Sequence, residues 1–362
     1  MQGEARLLAC VLLMAFSVCR SHAGFSSLWI FGDGVCTTTN NVSTDPEIYP
    51  YYYGYRFTNG RVWLEVLAQR LGITYNSSRN WSFFGNTSTN VLAELASFSA
   101  PGDVGTALFV VWANDADFVQ FMNYGGPSAV TTALVNSWIT NHSTIIQSLY
   151  NKGVRTLVMP NAVDVTLIPL YSDMSASDKA YIRSKVAQFN SGFVTALNQA
   201  RTTYPALKIY MPDFCTLLNN IVANPSNYGL TNPPPPGDAY DDLWPNLLPL
   251  STTGPGATYL FWDDSDPSAK AHMIMADLVQ PLLSRPSVSK IVKVGTSNRL
   301  DVLNVPVGRD GAVDRTSSLN PVAWSQVKTF TSSSASLSVY VTNSGPRQFY
   351  RLRFPPATWT WP

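Results

Sequence analysis

Short, almost unbroken apolar runs alternate with longer amphipathic stretches through the first three quarters of the chain, and few folds accommodate that order. The runs are Leu28–Phe31, Ala107–Trp112, Thr156–Met159, Lys208–Met211 and Tyr259–Trp262. Each is too short for a buried helix and lacks polar alternation, as strands covered on both faces do. Between them, Val62–Leu71 stops at Gly72 and Ala129–Tyr150 stops before Gly153. Asp178–Thr203 sets Ile182, Phe189, Phe193 and Leu197 at helical spacing ahead of Pro205. This succession predicts an α/β sandwich of three layers around a mainly parallel sheet. Ligand sites in such sheets lie beyond the carboxyl ends of the strands.

The pattern changes after Pro281–Pro286. Residues 286–362 carry Ser, Thr, Val and Arg in period-two alternation with no helical segment, which predicts a small all-β C-terminal module after a main domain at 24–285. Ser336–Thr342 and Gln348–Phe354, joined by Asn343-Ser-Gly345, read as a β-hairpin. Asn232-Pro-Pro-Pro-Pro-Gly237 reads as a stiff surface loop, since proline excludes helix and central strand.

Charge excludes some partners. Lys plus Arg total 24 against 23 Asp plus Glu, so no field draws nucleic acid or an anionic membrane face. Residues 1–23 read as a secretory leader: Arg6, an apolar run from Leu7 to Val18, then Ser21-His-Ala23 as a small-x-small cleavage site. No later stretch is long and apolar enough to span a bilayer, so a secreted or periplasmic, soluble product is expected. Without the leader, the cysteines that remain are Cys36 and Cys215. In an oxidising compartment such a pair is a disulfide candidate, the alternative being a thiol nucleophile at Cys36. Asn-x-Ser/Thr sites stand at Asn41, Asn76, Asn80, Asn86 and Asn141.

Five blocks carry more specific information. They are Phe31-Gly-Asp-Gly-Val-Cys-Thr-Thr-Thr-Asn-Asn41, Tyr53-Gly-Tyr-Arg-Phe-Thr-Asn-Gly-Arg-Val-Trp63, Asn80-Trp-Ser-Phe-Phe-Gly-Asn-Thr-Ser88, Asn224-Pro-Ser-Asn-Tyr-Gly-Leu-Thr231 and Phe261-Trp-Asp-Asp-Ser-Asp-Pro267. In this order they resemble the GDSL (SGNH) family of esterases and lipases. The resemblance implies an SGNH-hydrolase-like sandwich and ester hydrolysis by a Ser-His-Asp triad. It places Gly34 at the nucleophile, Asp266 at the histidine and Asp263 at the residue that orients the histidine. Gly85 falls at an oxyanion-hole amide. For the oxyanion asparagine, an ungapped match of Leu108–Phe118 gives Ala116 and a shifted match gives Asn114; the shifted match is adopted. Glycine has no atom to attack with, and a carboxylate is a poor base for a hydroxyl.

Three functions remain open from these residues. One is a secreted family member with a degenerate site that binds a carbohydrate or acyl-ester ligand through Asn86, Trp112 and a rim drawn from Tyr51–Tyr55 and Trp81. The others are an active esterase with an unconventional nucleophile and a structural envelope or matrix protein. His142 and His272 are read as structural, and Asp263, Asp264 and Asp266 as a solvated turn, so no metal or cofactor is expected.

Overall fold

The computed structural model describes residues 24–39, 49–231, 237–247 and 253–354. The leader, Asn41, the proline run Pro233–Pro236 and the end of the chain beyond Phe354 lie outside them. Ten strands and eight α-helices follow in order: β1 Leu28–Gly32, α1 Trp63–Leu71, α2 Ser88–Ser97, β2 Leu108–Trp112, α3 Asn114–Gly125 and α4 Thr132–Asn151. Then come β3 Thr156–Val158, α5 Ala176–Thr203, β4 Lys208–Tyr210, α6 Phe214–Ala223, α7 Ala239–Leu243 and α8 Ala269–Leu283. The tail is all strand: β5 Ser287–Val294, β6 Ser297–Leu303, β7 Asp310–Thr316, β8 Ser325–Thr331, β9 Ser336–Thr342 and β10 Phe349–Arg353.

Strands β1 to β4 form one parallel sheet in chain order, β1-β2-β3-β4. The helices cover both faces, which is why β2 is buried at every residue. On one face Trp29, Phe31 and Phe109 pack around Phe98, which follows α2. On the other, Trp112 meets Trp63 at the start of α1. Local chemistry agrees with the sequence at the ends of elements. Gly72 closes α1 with φ of 70°, and Asp213, Ser268 and Thr131 cap α6, α8 and α4 through side-chain oxygens.

Two expectations need correction. Tyr259–Trp262 is not a fifth strand: Phe261 makes only isolated bridges to Asp238 and Pro267. This segment turns back on itself, with Trp262 N–H donating to Asp266 O at 2.8 Å and Ser268 N–H to Leu260 O at 2.9 Å, so its backbone is satisfied locally and the sheet ends at four strands.

The second is the expected hairpin: β9 pairs with β6, and β10 with β7, giving the antiparallel sheets β5-β6-β9 and β10-β7-β8. Dividing the two strands lets Val339 and Val341 of β9 share a core with Val313 of β7 and Leu352 of β10. Asn343-Ser-Gly345 is thus a corner between sheets, held by Gln348 Nε2 donating to Asn343 Oδ1 and Gly345 O. The hairpin that does form joins β5 to β6 across Gly295-Thr296, with Gly295 at φ 58°.

The tail is fastened to the main sheet domain by a buried ion bridge. Arg70 of α1 donates through Nε to Asp277 of α8 at 2.9 Å and through Nη1 to Val307 O at 3.0 Å. Arg309 approaches the same carboxylate at 3.3 Å. Asp277 therefore lies between two nearly buried guanidiniums. Asp277→Asn should destabilise the fold by about 3–5 kcal/mol, because it takes the carboxylate away from the buried Arg70. In urea denaturation the midpoint should fall with the slope unchanged, whereas Asp301→Asn, which breaks the exposed pair with Arg299, should leave the midpoint near that of the parent.

Candidate functional site

The site is built on the carboxyl end of β1. Gly32 ends the strand so close to β2 that a Cβ there would lie 2.8 Å from Trp112 O, and Asp33 N–H donates to the same carbonyl at 3.2 Å. Asp33 then caps a single 3-10 turn, Gly34–Cys36, by accepting from Val35 N–H at 3.1 Å. A Cβ placed on Gly34 would point into the site, 3.7 Å from Asp266 Oδ1, 3.0 Å from Phe84 Cδ2 and 3.6 Å from Phe57 Cδ2. The positions aligned with nucleophile and histidine thus meet in space.

Asp266 is presented by a tight turn. Asp263 Oδ1 accepts from the backbone N–H of Ser265 at 3.0 Å and of Asp266 at 2.7 Å, while Tyr52 O–H donates to its Oδ2 at 2.7 Å. The expected solvated turn is therefore a buried one: Asp263 and Asp266 are both buried. Among the described residues no cluster of His, Cys, Asp and Glu is arranged to hold a metal ion.

Beyond Gly34 lies a cavity of about 310 Å³. Its walls come from α3 (Val119, Gln120), α6 (Phe214, Leu217, Ile221) and α8 (Met275), with Trp112 and Gly85 at the rim of the sheet. Gly85 adopts φ of 74°, and a side chain there would strike Gln120 Nε2 at 2.4 Å, so the position requires glycine.

Two predicted ligand-facing amides point elsewhere. Asn86 is fully buried and donates from Nδ2 to Gly32 O at 2.9 Å and to Glu94 Oε1 at 3.2 Å, bracing β1 against α2. Asn114 accepts from Trp112 Nε1 and donates to Pro160 O, both at 2.9 Å, locking the end of β2 to the loop after β3. Ala116, the residue that the ungapped match gives, lines the cavity, while the Asn114 side chain is taken up by Trp112 and Pro160. The aromatic rim is also elsewhere: Trp81 packs on Phe31 and Phe98, and Tyr51 on Tyr240 and Trp244.

Cys36 and Cys215 are both free thiols, correcting the expected disulfide. Cys36 is sealed beneath the 3-10 turn against Gly32, whereas Cys215 sits in the first turn of α6 with Asn219 Nδ2 beside its sulfur. Burial and the neighbouring Asp33 push the Cys36 thiol far up, and burial pushes Cys215 up to about 11. Neither offers a thiolate at neutral pH. The histidines are structural. His272 Nδ1 accepts from Trp63 N–H at 3.1 Å, capping α1, and burial lowers its pKa to about 3. His142 lies between Phe189 and Phe193 with its pKa lowered to about 4 by burial.

The floor of the site was not foreseen. Asp33, Asp115 and Asp266 all line the cavity, with Asp117 beside them accepting from Ser88 N–H and O–H. Burial pushes Asp33, Asp117 and Asp263 up to about 7 and lifts Asp115 and Asp266 well above the usual carboxylate range. The signal available in the sequence was the pair Asp115 and Asp117 directly after an unbroken apolar strand, the edge where side chains face a ligand.

The family model described as GDSL-like Lipase/Acylhydrolase matches residues 28–279. The chain is similar to one GDSL esterase/lipase of Arabidopsis thaliana at 24% identity over 212 residues, 54% of this chain and 56% of that protein. A second from the same plant aligns at 24% over 182 residues, 48% and 49% of the two chains. It thus spans about half the length of these two relatives. A third is 24% identical over 347 residues, covering 75% of this chain and 95% of that one. Among solved structures, a putative GDSL-like lipase from Parabacteroides merdae is similar with a TM-score of 0.41 and 10% identity, over 70% of this chain and 93% of that one.

The buried carboxyls set the sign of the pH dependence of stability. Between their unfolded value of about 4 and their folded values, the native state holds protons that the unfolded chain has released, so stability falls as pH rises. His142 and His272 act oppositely below their unfolded value of about 6.5, but two imidazoles oppose the carboxyls of Asp33, Asp115, Asp117, Asp263 and Asp266. The melting temperature should therefore be higher near about pH 5 than near about pH 8. Asp33→Asn should shrink that difference; a flat or inverted profile in calorimetry contradicts the assignment.

Proposed function

This chain belongs to the GDSL-like lipase/acylhydrolase family, and from that premise we propose that it is a secreted, non-hydrolysing member that binds an apolar, acyl-like ligand beyond the ends of β1 and β2. The observation that carries the reading is the meeting of Gly34 and Asp266. A family hydrolase needs an attacking oxygen and a base at these two points. Here one has no side chain and the other is a buried carboxyl 3.7 Å from where a Cβ would stand. The oxyanion amide is missing too, since Ala116 occupies the cavity-facing position. A triad acts as a unit, so loss of the nucleophile alone costs about as much as losing all members.

The alternative thiol nucleophile has little to support it, because Cys36 is fully buried and held protonated. Between the two ligand classes, the cavity favours the acyl one: its walls are dominated by Leu, Ile, Met, Phe and Trp side chains, with Gln120 and Asn123 as the two amide side chains among the described lining residues. Export rests on the leader at residues 1–23.

The parent should hydrolyse short p-nitrophenyl esters no faster than a denatured control and should take up no fluorophosphonate label; stoichiometric labelling overturns the reading. Gly34→Ser with Asp266→His should recover slight turnover, since Asp263 is in place and the exposed Phe84 ring can swing aside. Adding Ala116→Asn should raise kcat about 10²–10³-fold further, the usual worth of one oxyanion donor.

A further inference from the structure

We infer that the head-group end of this cavity selects a cation, so that its ligand is a protonated amine carried on an apolar body. The inference rests on the cavity being a ligand site, as proposed above, and names what that site recognises.

Asp266 is 4% exposed, lines the cavity, and its carboxyl accepts no hydrogen bond among the described residues. Asp115, 7% exposed, accepts only from Val163 N–H at 3.1 Å, leaving its second oxygen for the cavity. Asp33 completes the group, with Val35 N–H on Oδ1. No Lys, Arg or His lines the cavity, and none of the three carboxyls has an ion pair among the described residues. Unpaired carboxyls taken out of water stay protonated unless a positive charge or hydrogen-bond donors offset the cost of ionising them. The protein supplies neither at Asp266.

The polarity is also the reverse of what an ester site needs. An oxyanion hole presents donors to a developing negative charge; here Asp33, Asp115 and Asp266 present carboxyls, and the Ala116 N–H is taken up by Asp33. Anionic head groups are repelled, neutral ones are tolerated, and an ammonium satisfies two or three carboxyls at once through charge-assisted hydrogen bonds. Trp112, Phe214, Leu217 and Ile221 line the same space and suit an alkyl or aryl body. A volume of about 310 Å³ holds roughly ten water-sized groups at ~30 Å³ each. Octylamine is of that size.

The test uses the full chain and three probes that differ only in head group: octylamine, octanol and octanoate, titrated calorimetrically and by tryptophan fluorescence. Octylamine should bind about tenfold or more tighter than octanol, and octanoate should not bind. Asp266→Asn keeps the shape and removes the charge; it should bring octylamine down to the affinity of octanol while octanol is unchanged and the melting temperature does not fall. Leu217→Trp, which fills the cavity, should abolish binding of both. Equal affinity for amine and alcohol, or an amine preference that survives Asp266→Asn, overturns the cation inference while leaving the cavity reading intact. If none of the three probes binds, the cavity reading itself fails and the cation inference falls with it. Octylamine binding that survives Leu217→Trp shows adsorption elsewhere and overturns it equally.

Discussion

The closeness of β1 to β2 at their carboxyl ends governs what this molecule can present. Gly32 admits the Trp112 carbonyl where no other residue could, Asp33 N–H donates to that carbonyl, and Asn86 donates to Gly32 O from the opposite side. Every one of these contacts involves backbone. The 3-10 turn is therefore held in place by contacts that do not involve a side chain at position 34. Backbone hydrogen bonds buried this deeply are costly to leave unmade, so the frame is held by stability.

The same frame explains the acidic floor. The end of β1 and the first turn of α3 deliver Asp33 and Asp115 into the cavity that Asp266 also lines, and all three are buried. With no cation among them, the carboxyls keep their protons to higher pH than they would in water. Ground-state strain of this kind is usually found where a ligand or a reaction relieves it. Among the described residues no Lys, Arg or His lines the cavity to relieve it.

Much of the fold was legible because it rests on periodicity. Four buried strands, the three long helices and the all-strand tail follow from apolar runs and caps that are local in sequence. What was illegible depended on tertiary pairing. Ser336–Thr342 and Phe349–Arg353 alternate like a hairpin, yet the corner at Asn343–Gly345 sends them to different sheets because that arrangement buries Val339 and Val341 against Val313. Phe261 has the composition of a strand but makes isolated bridges to Asp238 and Pro267 in place of a fifth ladder. In the site, Gly34, Gly85, Trp112 and Asp266, all named from the sequence, line one cavity, and Asp263 holds the turn that carries Asp266. Asn86 and Asn114 were not placed by them, since an asparagine near a strand end braces backbone as readily as it binds ligand, and only the direction of the amide tells which. Arg70, Asp277 and Arg309 had no signal at all, being far apart in sequence and unremarkable in type.

That ion bridge gives the tail a bearing on the site. Helix α8 begins three residues after Asp266, carries Met275 in the cavity wall and carries His272, which caps α1 at Trp63. Asn59 accepts from Ala269 N–H at 2.8 Å at the head of the same helix. Further along, Asp277 is gripped by Arg70 and by Arg309 of the tail, and Gln280 donates to Asn304 O. The helix that orients Asp266 is thus pinned at its start by the main domain and along its length by the strands that follow it. Strands that do not line the cavity thus help to hold the helix that follows the carboxyl facing Gly34.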